Sequence, residues 1–196
     1  SCSAQKMEGG YSISGTKICV SQASSAARIL LSAQTEEGIV VALVDPHASG
    51  VTLNAQIVTT GETRHELVMA KVQVPTQDIV AIGSEALAAM DWAHLATRTA
   101  LAAMAVGLCD KMMRITGQYT SEREQFGRPI ATFQAVSHRV ADCYIDVECL
   151  RLVTQQAASL INESHPAKDA VHIAKIWCGN VTHRVSQASQ HCHGGT

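Results

Sequence analysis

YTSEREQFGRPIATFQAVSHRVAD, residues 119–142, is a short polar break between two long helical patterns, and its reading decides the fold. Residues 121–131 form a polar turn containing Gly127 and Pro129, the residue types that stop a helix. Thr132 is placed as the N-cap of a helix over 132–163, with Val136, Val140, Tyr144, Val147, Leu150 and Ile161 on its apolar side. Upstream, residues 84–120 carry Leu87, Met90, Leu95, Leu101, Met104, Leu108, Met112 and Ile115 at helical spacing, interrupted only by Gly107 and Gly117. Downstream, Pro166 suits the first turn of a third helix over 166–190, with Ile173, Ile176, Trp177, Val181 and Val185 as its core stripe. Long helices with short links imply antiparallel neighbours in a bundle.

The grammar before residue 83 is different. Tyr11-Ser-Ile-Ser alternates and stops at Gly15-Thr-Lys. Further short strands are expected at 18–20, 29–33, 39–44, 51–53, 57–59 and 67–74. Gly38 and the 45–50 stretch, with Pro46, break the runs, and Pro75 closes the last because it cannot donate to a ladder. The expected fold is therefore α+β. An antiparallel β sandwich or barrel over 1–82 precedes an antiparallel long-helix bundle over 83–196.

Hydrophobic residues make up 46% of the 196 and charged ones 16%, enough apolar surface for a sizeable core. A formal net charge of −2 gives no general attraction to nucleic acid or to an anionic membrane. No apolar run reaches the ~18 residues of a membrane span, and residues 1–10 lack the pattern of a signal peptide. The seven cysteines are odd in number and lack CxxC spacing, so reduced thiols in the cytoplasm explain them better than a disulfide framework.

The turn places Arg123 and Arg128 around Phe126-Gly127 and then enters a helix at Phe133-Gln134. Guanidinium groups beside free helix N–H groups can hold an anion such as a pyrophosphate. The chemistry alone leaves this open against an ordinary charged surface turn. His191-Cys192-His193 invites a metal reading, but ligands so close in sequence rarely converge on one ion and no partner spacing supports zinc, so no metal is expected.

Tyr119, Arg123, Phe126, Gly127, Pro129, Ile130, Phe133, Gln134, His138, Ala141 and Asp142 stand in the register Tyr-x-x-x-Arg-x-x-Phe-Gly-x-Pro-Ile, Phe-Gln, His, Ala-Asp. This run closely resembles the flavin-binding turn and helix of the acyl-CoA dehydrogenase family. YSISGTK at 11–17, the segment 68–75, Ala174-Lys175 and His191-Cys-His-Gly-Gly195 extend the similarity over nearly the whole chain. The resemblance implies an FAD-dependent enzyme that makes a trans-2-enoyl-CoA from an acyl-CoA and passes electrons to an electron-transfer flavoprotein. It implies that Arg123 and Gln134 contact the FAD pyrophosphate region of a neighbouring subunit, with Phe126 in the same pocket. It also implies that His191, Gly194 and Gly195 approach the adenosine part, that Ser21 keeps the hydroxyl near the flavin ring, and that Arg98 lies near the adenine end of acyl-CoA. A shared FAD site implies a homo- or hetero-oligomer, a dimer or tetramer.

Two departures stand out. Cys19 occupies the position of the family's flavin-covering tryptophan. The family's catalytic glutamate lies either beyond Thr196 or at the position of Thr97, and threonine cannot serve as a base. Asp91 lies about 9 Å from Thr97 along a helix axis. No catalytic residue is nominated, and the chain reads as a piece of a longer protein whose N-terminal helical domain is absent. The alternative to a self-sufficient enzyme is a non-catalytic subunit that completes a partner's FAD site. Straight, branched and steroid acyl groups all remain open.

Overall fold

The computed structural model describes residues 2–194, which form two compact units that divide between Trp92 and Ala93. The first holds one seven-stranded sheet of β1 (Cys2–Met7), β2 (Gly10–Ser21), β3 (Ile29–Thr35), β4 (Gly38–Val44), β5 (Val51–Gln56), β6 (Arg64–Pro75) and β7 (Ile79–Ile82). The strand order is β5-β6-β2-β1-β3-β4-β7. Neighbours are antiparallel except β1 and β3, whose parallel pairing corrects the expectation of a wholly antiparallel sheet. Ile13 of β2, Val40 and Val44 of β4, and Leu67, Met69 and Val72 of β6 join a single apolar core. Strands from both ends of the strand order thus bury the same face.

A bulge keeps that face apolar. His65, Leu67 and Met69 point inward at every second residue, and then Val72 and Val74 do, one residue out of step. Ala70 and Lys71 together oppose Ser14, so the extra residue restores the inward phase. Lys71 adopts φ +54°, and its N–H donates to Ser14 Oγ at 3.0 Å. Gly15-Thr-Lys accordingly is no strand end: β2 runs straight through it. A second irregularity lies between Lys17 and Val20, where Cys19 takes φ +57°. Segment 57–59 is not a strand, while β1 and β7 are strands that the sequence pattern did not announce.

The helices are α1 (Ser84–Glu122), α2 (Gln134–Asn162) and α3 (Lys168–Cys192). The two units divide inside α1, at Trp92 and Ala93. Thr132 is not the cap of α2: it sits in a short 3-10 turn, its hydroxyl bonded to Pro129 O at 2.7 Å, and Phe133 precedes the helix. Pro166 lies just outside α3, whose N-cap is Ala167.

The helical core corrects the expected stripes. On α1 the buried face is Ala102, Ala105, Val106, Cys109, Thr116 and Thr120, whereas Leu101, Met104 (68% exposed), Leu108 and Ile115 face outward. Both sets have helical spacing. Ala105, Val106 and Cys109 share one buried cluster with Val147 and Leu150 of α2 and Val181 and Val185 of α3, and that shared core decides which face turns in. Tyr144, Ile173 and Ile176 are likewise exposed. Asp110 of α1 bonds Arg114 at 2.7 Å and Arg151 of α2 at 3.3 Å, and the Arg114 guanidinium holds its carboxyl below the usual range.

Candidate functional site

The polar turn after α1 is a two-residue hairpin. β8 (Glu124–Gln125) pairs with β9 (Arg128–Pro129), with Gln125 opposite Arg128. Phe126 at φ +55° and Gly127 at φ +74° form the tip, both in the left-handed region that a two-residue hairpin of this kind demands. Arg123 N–H donates to Tyr119 O at 2.8 Å and Ile130 N–H to Arg123 O at 2.8 Å, so the hairpin grows directly from the last turn of α1.

Its residues are presented outward. Phe126 is 91% exposed, and Arg123 and Gln134 are exposed as well. Phe133 is the internal anchor: Phe126 meets it edge-on at 6.1 Å, and the Arg128 guanidinium lies 4.3 Å above its ring. Arg123 and Arg128 take part in none of the ion pairs among the described residues. No side chain caps α2; Val136 and Ser137 N–H both donate to Phe133 O at 3.0 Å, and the N–H groups of Gln134 and Ala135, ahead of them, are the ones open to a ligand. Two arginines outside these ion pairs, an open helix start and a projecting aromatic ring suit a bulky anionic ligand such as a pyrophosphate.

The end of α3 supplies a second group. His191 is exposed in its last turn. Gly194 has φ +79°, and its N–H donates to His191 O at 3.0 Å. Gly195 lies outside the described residues. The three residues of His191-Cys192-His193 do not converge. Cys192 is buried in the bundle, where burial pushes its thiol up, while the His193 ring stacks on Tyr119 with centroids 4.4 Å apart. Burial likewise pushes the Cys109 thiol up to about 11 and raises Cys143, the behaviour of cysteines that serve as packing.

Arg98 on α1 is exposed, and its Nη1 lies 3.3 Å from His172 Nε2 of α3. A guanidinium only donates, so Nε2 accepts and the proton of this imidazole sits on Nδ1. In the β unit, Ser21 is exposed at the end of β2. Cys19 is exposed too, with its N–H bonded to Gln56 Oε1 at 2.8 Å and its carbonyl to Arg64 Nη1 at 3.2 Å. The structure thus gathers Arg123, Phe126 and Gln134 around one hairpin and helix start, and His191 and Gly194 at one helix end. Phe133 as anchor and the Tyr119–His193 stack escaped the sequence reading. The signal for Phe133 was its place in the motif register, immediately before Gln134 at the helix start.

The chain thus joins a seven-stranded sheet unit to a unit of long helices, with arginines and an aromatic ring projecting from the hairpin after α1. The family model "Acyl-CoA dehydrogenase, C-terminal domain" matches residues 87–196, and the chain belongs to the acyl-CoA dehydrogenase family. It is 35% identical over 196 residues to Acyl-CoA dehydrogenase FadE27 of Mycobacterium tuberculosis, covering 95% of this chain and 51% of that protein. The ChsE4-ChsE5 complex of the same organism superposes with a TM-score of 0.89 at 33% identity, over 99% of this chain and 52% of the matched one. A variant of the Tcur3481-Tcur3483 steroid ACAD does so at 0.86 and 36%, over 99% and 52%. The chain thus spans about half the length of the relatives it matches.

Proposed function

We propose that the chain is part of an FAD-dependent acyl-CoA dehydrogenase acting on an acyl-CoA thioester to give a trans-2-enoyl-CoA. Bound FAD supplies the hydride acceptor for that reaction. The observation that carries this reading is the pair of unneutralised arginines on a hairpin beside the uncapped start of α2. Arg123 supplies charge and planar hydrogen bonding to the pyrophosphate of a neighbouring subunit's FAD, Gln134 adds an amide, and Phe126 packs beside them. His191 and Gly194 stand toward the adenosine part, where the absent side chain of Gly194 permits close backbone approach. Ser21 offers its hydroxyl near the flavin ring, and Arg98 meets the adenine end of acyl-CoA. An electron-transfer flavoprotein takes the electrons.

The experiment is Arg123→Ala in the assembled protein, read by the flavin retained on a desalting column and by FAD affinity. Loss of a charge-assisted contact worth about 1.5–3 kcal/mol weakens binding by about 10- to 150-fold. Unchanged retention rejects the assignment.

A second reading has its own support. Cys19 stands where the family carries tryptophan, Thr97 cannot act as a base, and a relative in structure is a two-protein complex. On this reading the chain is a non-catalytic subunit of a heteromeric dehydrogenase, completing the FAD site of a homologous partner. The steroid ACAD similarity makes a steroid acyl-CoA the substrate to try first.

A further inference from the structure

We infer that Tyr119 and His193 form a clasp that sets the spacing between the arginine hairpin and the glycine turn, making both positioning residues for FAD. This rests on the FAD reading above. Tyr119 is the last anchor before the hairpin, since its carbonyl accepts the Arg123 N–H at 2.8 Å. His193 is the residue immediately before Gly194. Their rings stack at 4.4 Å with only 23° between planes, joining the end of α1 to the end of α3.

The stack is braced from beneath. His193 Nδ1 lies 2.8 Å from Ser189 O, and a carbonyl only accepts, so the proton is on Nδ1. That leaves Nε2 free of the clasp. Ser189 Oγ meets Thr116 Oγ1 at 2.7 Å, and Thr116 Oγ1 donates to Met112 O at 2.8 Å. With the Thr116 proton so committed, Ser189 is the donor between the two hydroxyls. Thr116 is buried, so these bonds are shielded from water and hold one geometry. The chain Met112, Thr116, Ser189, His193, Tyr119 therefore runs from α1 to α3 and back. Neither ring is needed to fill the helical core, which is built from other residues. What the ring pair fixes is where two chain segments leave their helices, the hairpin on one side and the glycine turn on the other. A ligand touching both segments binds more tightly when their separation is preset, because less ordering remains to be done on binding.

The test uses the full-length protein in its native assembly, stripped of flavin and titrated with FAD, with the unfolding midpoint measured alongside. Tyr119→Phe keeps the stack and should bind FAD within about twofold of the parent. Tyr119→Leu and His193→Leu should each weaken FAD about tenfold at an unchanged midpoint, and the double variant should be no worse than either single one. His193→Phe keeps the ring but loses the bond to Ser189, and a loss of about threefold is expected, which carries the test if the leucine variants do not fold. The clasp is overturned if these variants bind FAD like the parent, or if affinity falls only in step with the midpoint and equally in Tyr119→Phe. Arg123→Ala separates the two ideas. If it releases FAD while the clasp variants do not, only the clasp fails. If it too leaves FAD bound, the pyrophosphate reading fails.

Discussion

Phe126 carries two local penalties at once. A bulky residue at φ +55° is strained by about 1–2 kcal/mol, and a ring 91% exposed forgoes the gain of burial. Asparagine, which tolerates the left-handed region, is what a two-residue hairpin favours before Gly127. Phe126→Asn should therefore stabilise the chain by about 1 kcal/mol in denaturant unfolding while lowering FAD affinity in the assembled protein. A variant that is both less stable and undiminished in FAD binding contradicts the role given to Phe126. The motif residues themselves were legible in the sequence, because Arg123, Phe126, Gly127 and Gln134 act through fixed spacing along a short stretch. Phe133 was not recognised as the anchor, because its partners Phe126 and Arg128 meet it only once the hairpin has folded.

At the scale of elements, α1 shows where periodicity stops deciding. Its two stripes, small residues at Ala102, Ala105, Cys109 and Thr116, and large ones at Leu101, Met104, Leu108 and Ile115, fit a helix equally well. Hydropathy favours the large stripe, and the bundle buries the small one. The difference is measurable with one substitution type at two sites. Leu150→Ala removes a fully buried side chain and should cost about 2–5 kcal/mol. Leu108→Ala, 59% exposed, should stay within about 1 kcal/mol in the 196-residue chain. Equal losses in denaturant unfolding would contradict the packing described. The same limit appears in the sheet, where Gly15-Thr-Lys reads as a strand end but proves to be a passage through β2. A bulge depends on what the neighbouring strand offers, here the Ser14 hydroxyl to Lys71, and one strand's sequence does not contain that.

At the scale of the whole molecule, the FAD reading proposed above gives cofactor roles to residues of both units, Ser21 in the β unit and Arg123, Phe126 and Gln134 in the helical unit. If the arginine hairpin serves a neighbour, assembly and flavin binding are one event. On the subunit reading, the full-length protein expressed alone should be colourless and should gain flavin absorbance when co-expressed with a homologous chain. Flavin bound at one per chain in the protein expressed alone would return the choice to a self-sufficient enzyme. No helix among the described residues is long and apolar enough to cross a membrane. The sequence by itself determined the order of strands before helices, the three long helices and the spacing of the flavin motif, because turn residues, periodicity and short motifs act between near neighbours. Only the tertiary structure decided which face of α1 turns inward, where the β bulges fall, and that Thr116 meets Ser189 across 73 residues beneath the Tyr119–His193 stack. Those outcomes depend on the volume and hydrogen-bonding groups a distant segment brings, which no local pattern encodes.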